Sequence, residues 1–119
     1  MDSNSFKKHY ILDLMLLTDT DSKSEMLFLT SSGILTGKPI TDEKYLTDPN
    51  LKSYVDYSDS SCKKFKSDIG VNEGSLPGDQ GVLLLQDVKL KNGAITINIP
   101  FLSLFFADID AVSIGSFPD

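Results

Sequence analysis

Paired carboxylates, a lone cysteine, a lone histidine and one stretch of aromatics mixed with lysines are where residue type and spacing could do chemistry in this chain. Asp19 and Asp21 have the spacing that opens an EF-hand calcium loop. The rest of that loop fails, because Lys23 occupies the third ligand position, Ser24 replaces the glycine of the sharp turn, and Thr30 stands where a bidentate Glu should close the shell. Asp108 and Asp110, two apart on an expected strand, would point the same way and could share a divalent cation if several subunits met around a ring. One chain supplies too few of the roughly six oxygens a hard cation needs, so they read as turn-forming and solubilising charges. Cys62 has no second cysteine to pair with, and with His9 the only histidine there are too few soft ligands for zinc. With no arginine and no Gly-rich phosphate loop, nucleophilic triads, zinc hydrolysis and nucleotide chemistry all lack parts. The expectation is a protein that is not an enzyme and holds neither metal nor cofactor.

Tyr54, Tyr57, Lys63, Lys64, Phe65 and Lys66 interleave aromatic rings with cations, the pattern that holds single strands by stacking and charge. Asp56, Asp59 and Asp68 surround these lysines and cancel most of their field. The net charge is −6, and all eleven cations are lysines. Arginine is the usual residue for bidentate recognition of phosphate and of guanine edges. RNA binding through this stretch is therefore an alternative reading, disfavoured by charge and by the missing guanidinium.

The elements that must position these residues follow from patterning. At 119 residues the chain is one domain, and 40% hydrophobic with 24% charged residues is ordinary for a soluble globular protein. A lysine-led apolar run over Lys7 to Leu17 faintly resembles a secretory signal, but Asp13 interrupts it and no small-residue cleavage site follows. A reducing, cytoplasmic setting is expected, and no apolar run is long enough to cross a bilayer. Ser3 or Ser5 caps a helix over residues 6–17, with Phe6, Tyr10, Leu14 and Leu17 on one apolar face. A buried strand from His9 to Leu17 is the competing assignment. A polar linker, TDTDSKSE, leads to two strands over residues 26–40, bent around Ser31-Ser32-Gly33. Gly37 inside the second marks a bulge, a bend or a close backbone approach, and Pro39 ends that strand or puts it at an edge.

Residues 41–80 are polar, rich in Ser and Asp and punctuated by Pro and Gly. They read as a long excursion holding some short structure, pinned by Tyr45, Leu46, Leu51, Tyr54, Val55, Tyr57, Phe65, Ile69 and Val71. The strongest local signal lies beyond, over residues 81–115. Asn92-Gly93 separates two alternating apolar runs, the mark of a type I′ hairpin. Before the turn Val82, Leu84, Gln86, Val88 and Leu90 share a face; after it Ile95, Ile97, Ile99 and Phe101 do. The run Phe101 to Phe106 is apolar on both faces, which requires cover from the helix, the excursion or another subunit. Ala107-Asp108 turns the chain into a last strand, Ile109 to Ile114.

A leading helix, two strands bent at glycine, a strand reading VLLLQDVKL, a hairpin and a closing pair reading FLSLFFADIDAVSIG resemble the Sm-like family over residues 6–40 and 81–115. The resemblance implies a mainly β fold, an Sm-like or SH3-like small barrel of five bent strands with an N-terminal helix, here with a long insertion between the second and third strands. It also implies that subunits join edge to edge through their last two strands into a closed homo-oligomeric ring, a pentamer to heptamer. Leu102, Leu104, Phe105, Phe106, Ile109 and Val112 are then the interface residues, and a charge at Leu104 or Phe105 should break the oligomer. The family's Arg-Gly or Lys-Gly pair falls on Phe105-Phe106 or Phe106-Ala107, its asparagine on Val82, and its aspartate has no match. The fold and the assembly carry over, giving a scaffolding role; the RNA site does not. The contrasting reading is a monomeric small-ligand or regulatory barrel with residues 41–80 as its lid.

Overall fold

The computed structural model of the chain describes residues 5–19, 25–40, 47–70 and 76–115. Ser3, Asp21, Lys23, Ser24, Tyr45, Leu46 and Val71, all named above, lie outside the described residues. The order of elements is α1 (Phe6–Asp19), β1 (Met26–Thr30), β2 (Gly33–Pro39), α2 (Pro49–Asp68), β3 (Val82–Asn92), β4 (Ile95–Phe105), a 3-10 turn (Phe106–Asp108) and β5 (Ile109–Ile114). The five strands form one sheet in the order β4-β3-β2-β1-β5, with every neighbouring pair antiparallel.

α1 is a helix, not a strand. Ser5 begins it: its hydroxyl accepts the Lys8 N–H at 3.1 Å, satisfying one of the donors that a helix start leaves open, and its carbonyl accepts the first intrahelical bond, from the His9 N–H at 3.0 Å. The buried face, however, is not the expected one. Phe6, Tyr10 and Leu17 are exposed, and only Leu14 of the expected set packs on the core. The inward stripe is Lys8, Ile11, Leu12, Met15 and Thr18, a helical spacing of three and four. From Tyr10 to Leu17 the helix is apolar nearly all round, so period alone could not choose a face.

The core lies between α1 and the sheet, built from Ile11, Met26, Phe28, Leu35, Leu83, Leu85, Val88, Leu104, Phe106 and Ile109. Register sets it in rows. Phe28 pairs with Leu35 and Val112, Leu35 with Leu90, and Leu90 with Ile97, so one row of apolar side chains crosses all five strands.

β3 departs from strict alternation, which corrects the expected face. Leu83 and Leu85 are buried first, and then Val88, because Asp87 adopts a left-handed backbone (φ +53°) and shifts the set by one. On β2, Thr36 pairs with Lys89 but Lys38 pairs with Gln86, so Gly37 faces two residues of β3, a β-bulge. A Cβ on Gly37 would come within 3.0 Å of the Val88 side chain, so close approach and bulge occur together. β4 follows β3 residue for residue and changes face with it at Pro100, opposite Asp87. Leu104, Leu102 and Ile99 therefore pack toward the core, whereas Phe101 turns to the opposite side.

The hairpin turn is also displaced by one residue. Asn92 pairs with Ile95, so Gly93 and Ala94 are the two central residues, and only Gly93 has a positive φ (+62°). That is the order of a type II′ turn, whereas type I′ needs both central residues left-handed. Asn92 instead donates from Nδ2 to the Ser32 carbonyl at 3.0 Å, tying this hairpin to the β1–β2 turn.

Thr36 is fully buried in central β2, and its Oγ1 has no hydrogen-bond partner among the described residues. Burying a hydroxyl unpartnered costs about 1–3 kcal/mol. Thr36→Val, which keeps the shape and removes the oxygen, is accordingly expected to leave the urea midpoint unchanged or raise it, by up to about 1 kcal/mol of stability.

Candidate functional site

The excursion is a helix over twenty of its residues. Asp48 caps α2, its side chain accepting from the Asn50 and Leu51 N–H groups at 3.0 and 3.4 Å, with Pro49 in the first helical turn. Ile69 and Gly70 close the far end through bonds to the Phe65 and Ser67 carbonyls, and Gly70 takes the left-handed conformation (φ +80°) that such ends favour. Asp48-Pro49 is a helix-start signal; read only as punctuation, it hid the element.

α2 supplies part of the cover that the doubly apolar end of β4 demanded, over Phe101 and Ser103 but not Phe105. Tyr54 stacks on Phe101 with ring centroids 5.7 Å apart, and its hydroxyl hydrogen-bonds the Ser103 hydroxyl. Only Leu51 and Val55, in the first two turns, are buried, so the helix is anchored at its N-terminal end and stands off the sheet beyond it. The standoff leaves a cleft of about 410 Å³. One helical face, Tyr54, Tyr57, Ser58, Ser61, Cys62 and Phe65, forms its first wall. The paired strand ends at Val82 and Phe105, with Ser103, form the opposite wall, and the segment from Leu76 to Gly81 closes one end. That segment is itself held by α1. The Lys8 ammonium, on a residue only 4% exposed, donates to the Leu76 and Gln80 carbonyls at 2.8 and 2.7 Å and sits 5.3 Å from the centre of the Phe106 ring, while the Ser5 hydroxyl donates to Asp79.

The aromatic and cationic residues read together in sequence are thereby separated. Tyr54, Tyr57 and Phe65 line the cleft; Lys63, Lys64 and Lys66 do not. Among the described residues no charged side chain lines it. The expected interface residues divide as well. Leu104, Phe106 and Ile109 are core residues, Leu102 and Val112 are half-buried against the core, and Phe105 alone is exposed, at 55%. A charge at Leu104 would therefore act by unfolding the chain, and that expected test of an interface does not serve.

Among the described residues no strand pairs with the outer edge of β4 or of β5. β4 is an eleven-residue edge strand without a single charged side chain, and Ile95 and Ile97 on it are 65% and 49% exposed. β5 is the opposite edge. Beside it, between Phe6 and Tyr10 of α1 and Val112, runs an apolar groove of about 290 Å³.

No protein-family model, no curated protein and no solved structure matches the chain. The site residues stand on their own geometry. Asp108 lies in the 3-10 turn and Asp110 on β5, so they are not the same-face strand pair expected. Among the described residues no group of three His, Cys, Asp or Glu is placed to hold a metal ion, and no helix is long and apolar enough to cross a membrane. His9 and Asp13 make an exposed i,i+4 pair at 3.2 Å on α1.

Proposed function

We propose that the chain is a non-enzymatic, Sm-like assembly module that closes into a homo-oligomeric ring by pairing β4 of one copy with β5 of the next. Its role is then scaffolding, in a reducing intracellular setting consistent with the unpaired Cys62. What supports this is the bareness of the β4 edge. Natural sheets protect an edge with charges, inward-pointing lysines, short strands or covering elements. β4 is long and uncharged, and it exposes two isoleucines near its turn; Pro100 is its one protective residue. A strand of this kind is a template for another strand.

The partner edge is built to receive it. β5 offers an outer edge that no described strand pairs with, and the groove under Phe6 and Tyr10 offers a mostly apolar seat for side chains of an added strand. β4 and β5 are different surfaces, so the contact is heterologous, and it generates a ring if its rotation closes. The strand order, with the last two strands at opposite edges of one sheet, suits such a closure.

Hydrogen exchange tests the contact directly. At high protein concentration the backbone amides of residues 95–105 and 109–114 are expected to be protected together, and on dilution below the assembly range both segments should lose protection while β1 and β2 keep theirs. Equal exchange of β4 at all concentrations, in a protein larger than a monomer, would place the contact elsewhere.

A further inference from the structure

We infer that the cleft between α2 and the β3–β4 ends binds a small, uncharged molecule with a flat apolar body and one hydrogen-bonding group. This is independent of the assembly proposed above, since it uses the face of β4 and not its edge. The cleft's volume falls in the range of small-molecule sites, which are mostly apolar with a few converging polar groups. Its composition has that form. Tyr57, Phe65 and Phe105 are all exposed, and they line one cleft from opposite sides. Apolar surface left wet on two facing walls is surface that a ligand between them would remove from water.

The spacing of the α2 residues adds to this. Positions 54, 57, 58, 61, 62 and 65 follow the helical period for three turns, yet none of them is fully buried: Tyr54, Ser58 and Cys62 are half-buried and Tyr57, Ser61 and Phe65 are exposed. A helix that turns its aromatic stripe toward a sheet and does not close on it holds space for something else. The chemistry of the walls selects the occupant. Hydroxyls of Ser58, Ser61 and Ser103 and the Cys62 thiol provide neutral donors and acceptors, and with no charged side chain among the described residues of the lining an ionised group would be desolvated without a partner there. Facing rings favour a planar body, which stacks on them. The net charge of −6 adds a further bias against anions.

The probe for this site is N-phenyl-1-naphthylamine, a neutral naphthalene whose fluorescence rises when it leaves water. The full chain is expected to bind it saturably at one site per chain, and saturating probe should slow alkylation of Cys62 by iodoacetamide. Ser61→Trp, a change on the cleft wall at an exposed helix position, should weaken binding at least about tenfold while the melting temperature holds. Ile97→Lys, at the assembly edge, should bind as the parent does. Non-saturable binding, unchanged affinity in a folded Ser61→Trp, or alkylation of Cys62 that ignores the probe would each overturn the site. Should Ser61→Trp fail to fold, the alkylation rate in the parent chain decides. Loss of probe binding as protein concentration rises would assign the cleft to a second copy and overturn the small-molecule reading as well.

Discussion

Ile97→Lys is expected to leave the fold intact and to dissociate the assembly into monomers of 13.1 kDa. Ile97 is half exposed near the turn end of β4, so an ammonium there can reach water in the isolated chain at little cost to folding. In an edge-to-edge contact the same position is covered by the next subunit. Assembly can bury only the half of Ile97 that is still exposed, so losing that burial costs about 0.7–1.5 kcal/mol per contact, and a desolvated lysine adds to that. The lost burial alone weakens each contact by about 3- to 13-fold, the lysine's desolvation weakens it further, and a ring requires every contact at once. Light scattering reads the mass and far-ultraviolet circular dichroism the fold. Leu104→Asp gives the contrasting result, because Leu104 is a core residue paired with Leu83: circular dichroism should show an unfolded chain. A folded Ile97→Lys that kept the parent's mass would remove β4 from the interface.

Lys8→Met carries the second large effect, on stability. The Lys8 ammonium is buried against the Phe106 ring and satisfies two backbone carbonyls, Leu76 and Gln80, that belong to a segment about seventy residues away in sequence. Methionine retains the stem's packing but no donor, so both carbonyls lose a charge-assisted hydrogen bond, each worth about 1.5–3 kcal/mol. A net loss of about 3 kcal/mol is expected, lowering the melting temperature by about 10 °C for a domain of this size. Because the same bonds fix the closed end of the cleft, the variant should also bind the naphthalene probe more weakly at temperatures where it is fully folded. A melting temperature within 2 °C of the parent, roughly the shift of half a kilocalorie, would mean that the ammonium's desolvation cancels its bonds.

What could be read in the sequence depended on how local each cause is. The cap at Ser5, the strands and the β3–β4 hairpin follow from residues near one another in the chain; the strands stand within about a residue of where the pattern placed them, with Ile109–Ile114 matched at both ends, and the hairpin turn lies one residue beyond the expected Asn92-Gly93. Faces were harder. The α1 stripe turns on a lysine whose partners arrive from residues 76–80, and a buried cation is the last residue a periodicity count would place inside. On β3 a single left-handed residue, Asp87, reverses the alternation, and period two contains no trace of it; Gly37 on the neighbouring strand marked the bulge from the other side. α2 was hidden by its Ser and Asp content, although Asp48-Pro49 and the Leu51, Val55, Ser58, Cys62 spacing would have disclosed it. Once the helix is drawn, Tyr54, Tyr57 and Phe65 line the cleft and Lys63, Lys64 and Lys66 do not, which is why the cleft replaces the mixed aromatic and cationic stretch as the place to look for a ligand.

The most direct measurement is the solution mass of the unaltered chain, by light scattering behind size exclusion, at two protein concentrations and at low and high salt. A discrete mass of five to seven times 13.1 kDa is expected, unchanged on dilution and better populated in high salt, where the repulsion between copies of charge −6 is screened. A mass of 13.1 kDa under all four conditions would contradict the assembly and leave a monomeric sheet whose chemistry rests on the α2 cleft.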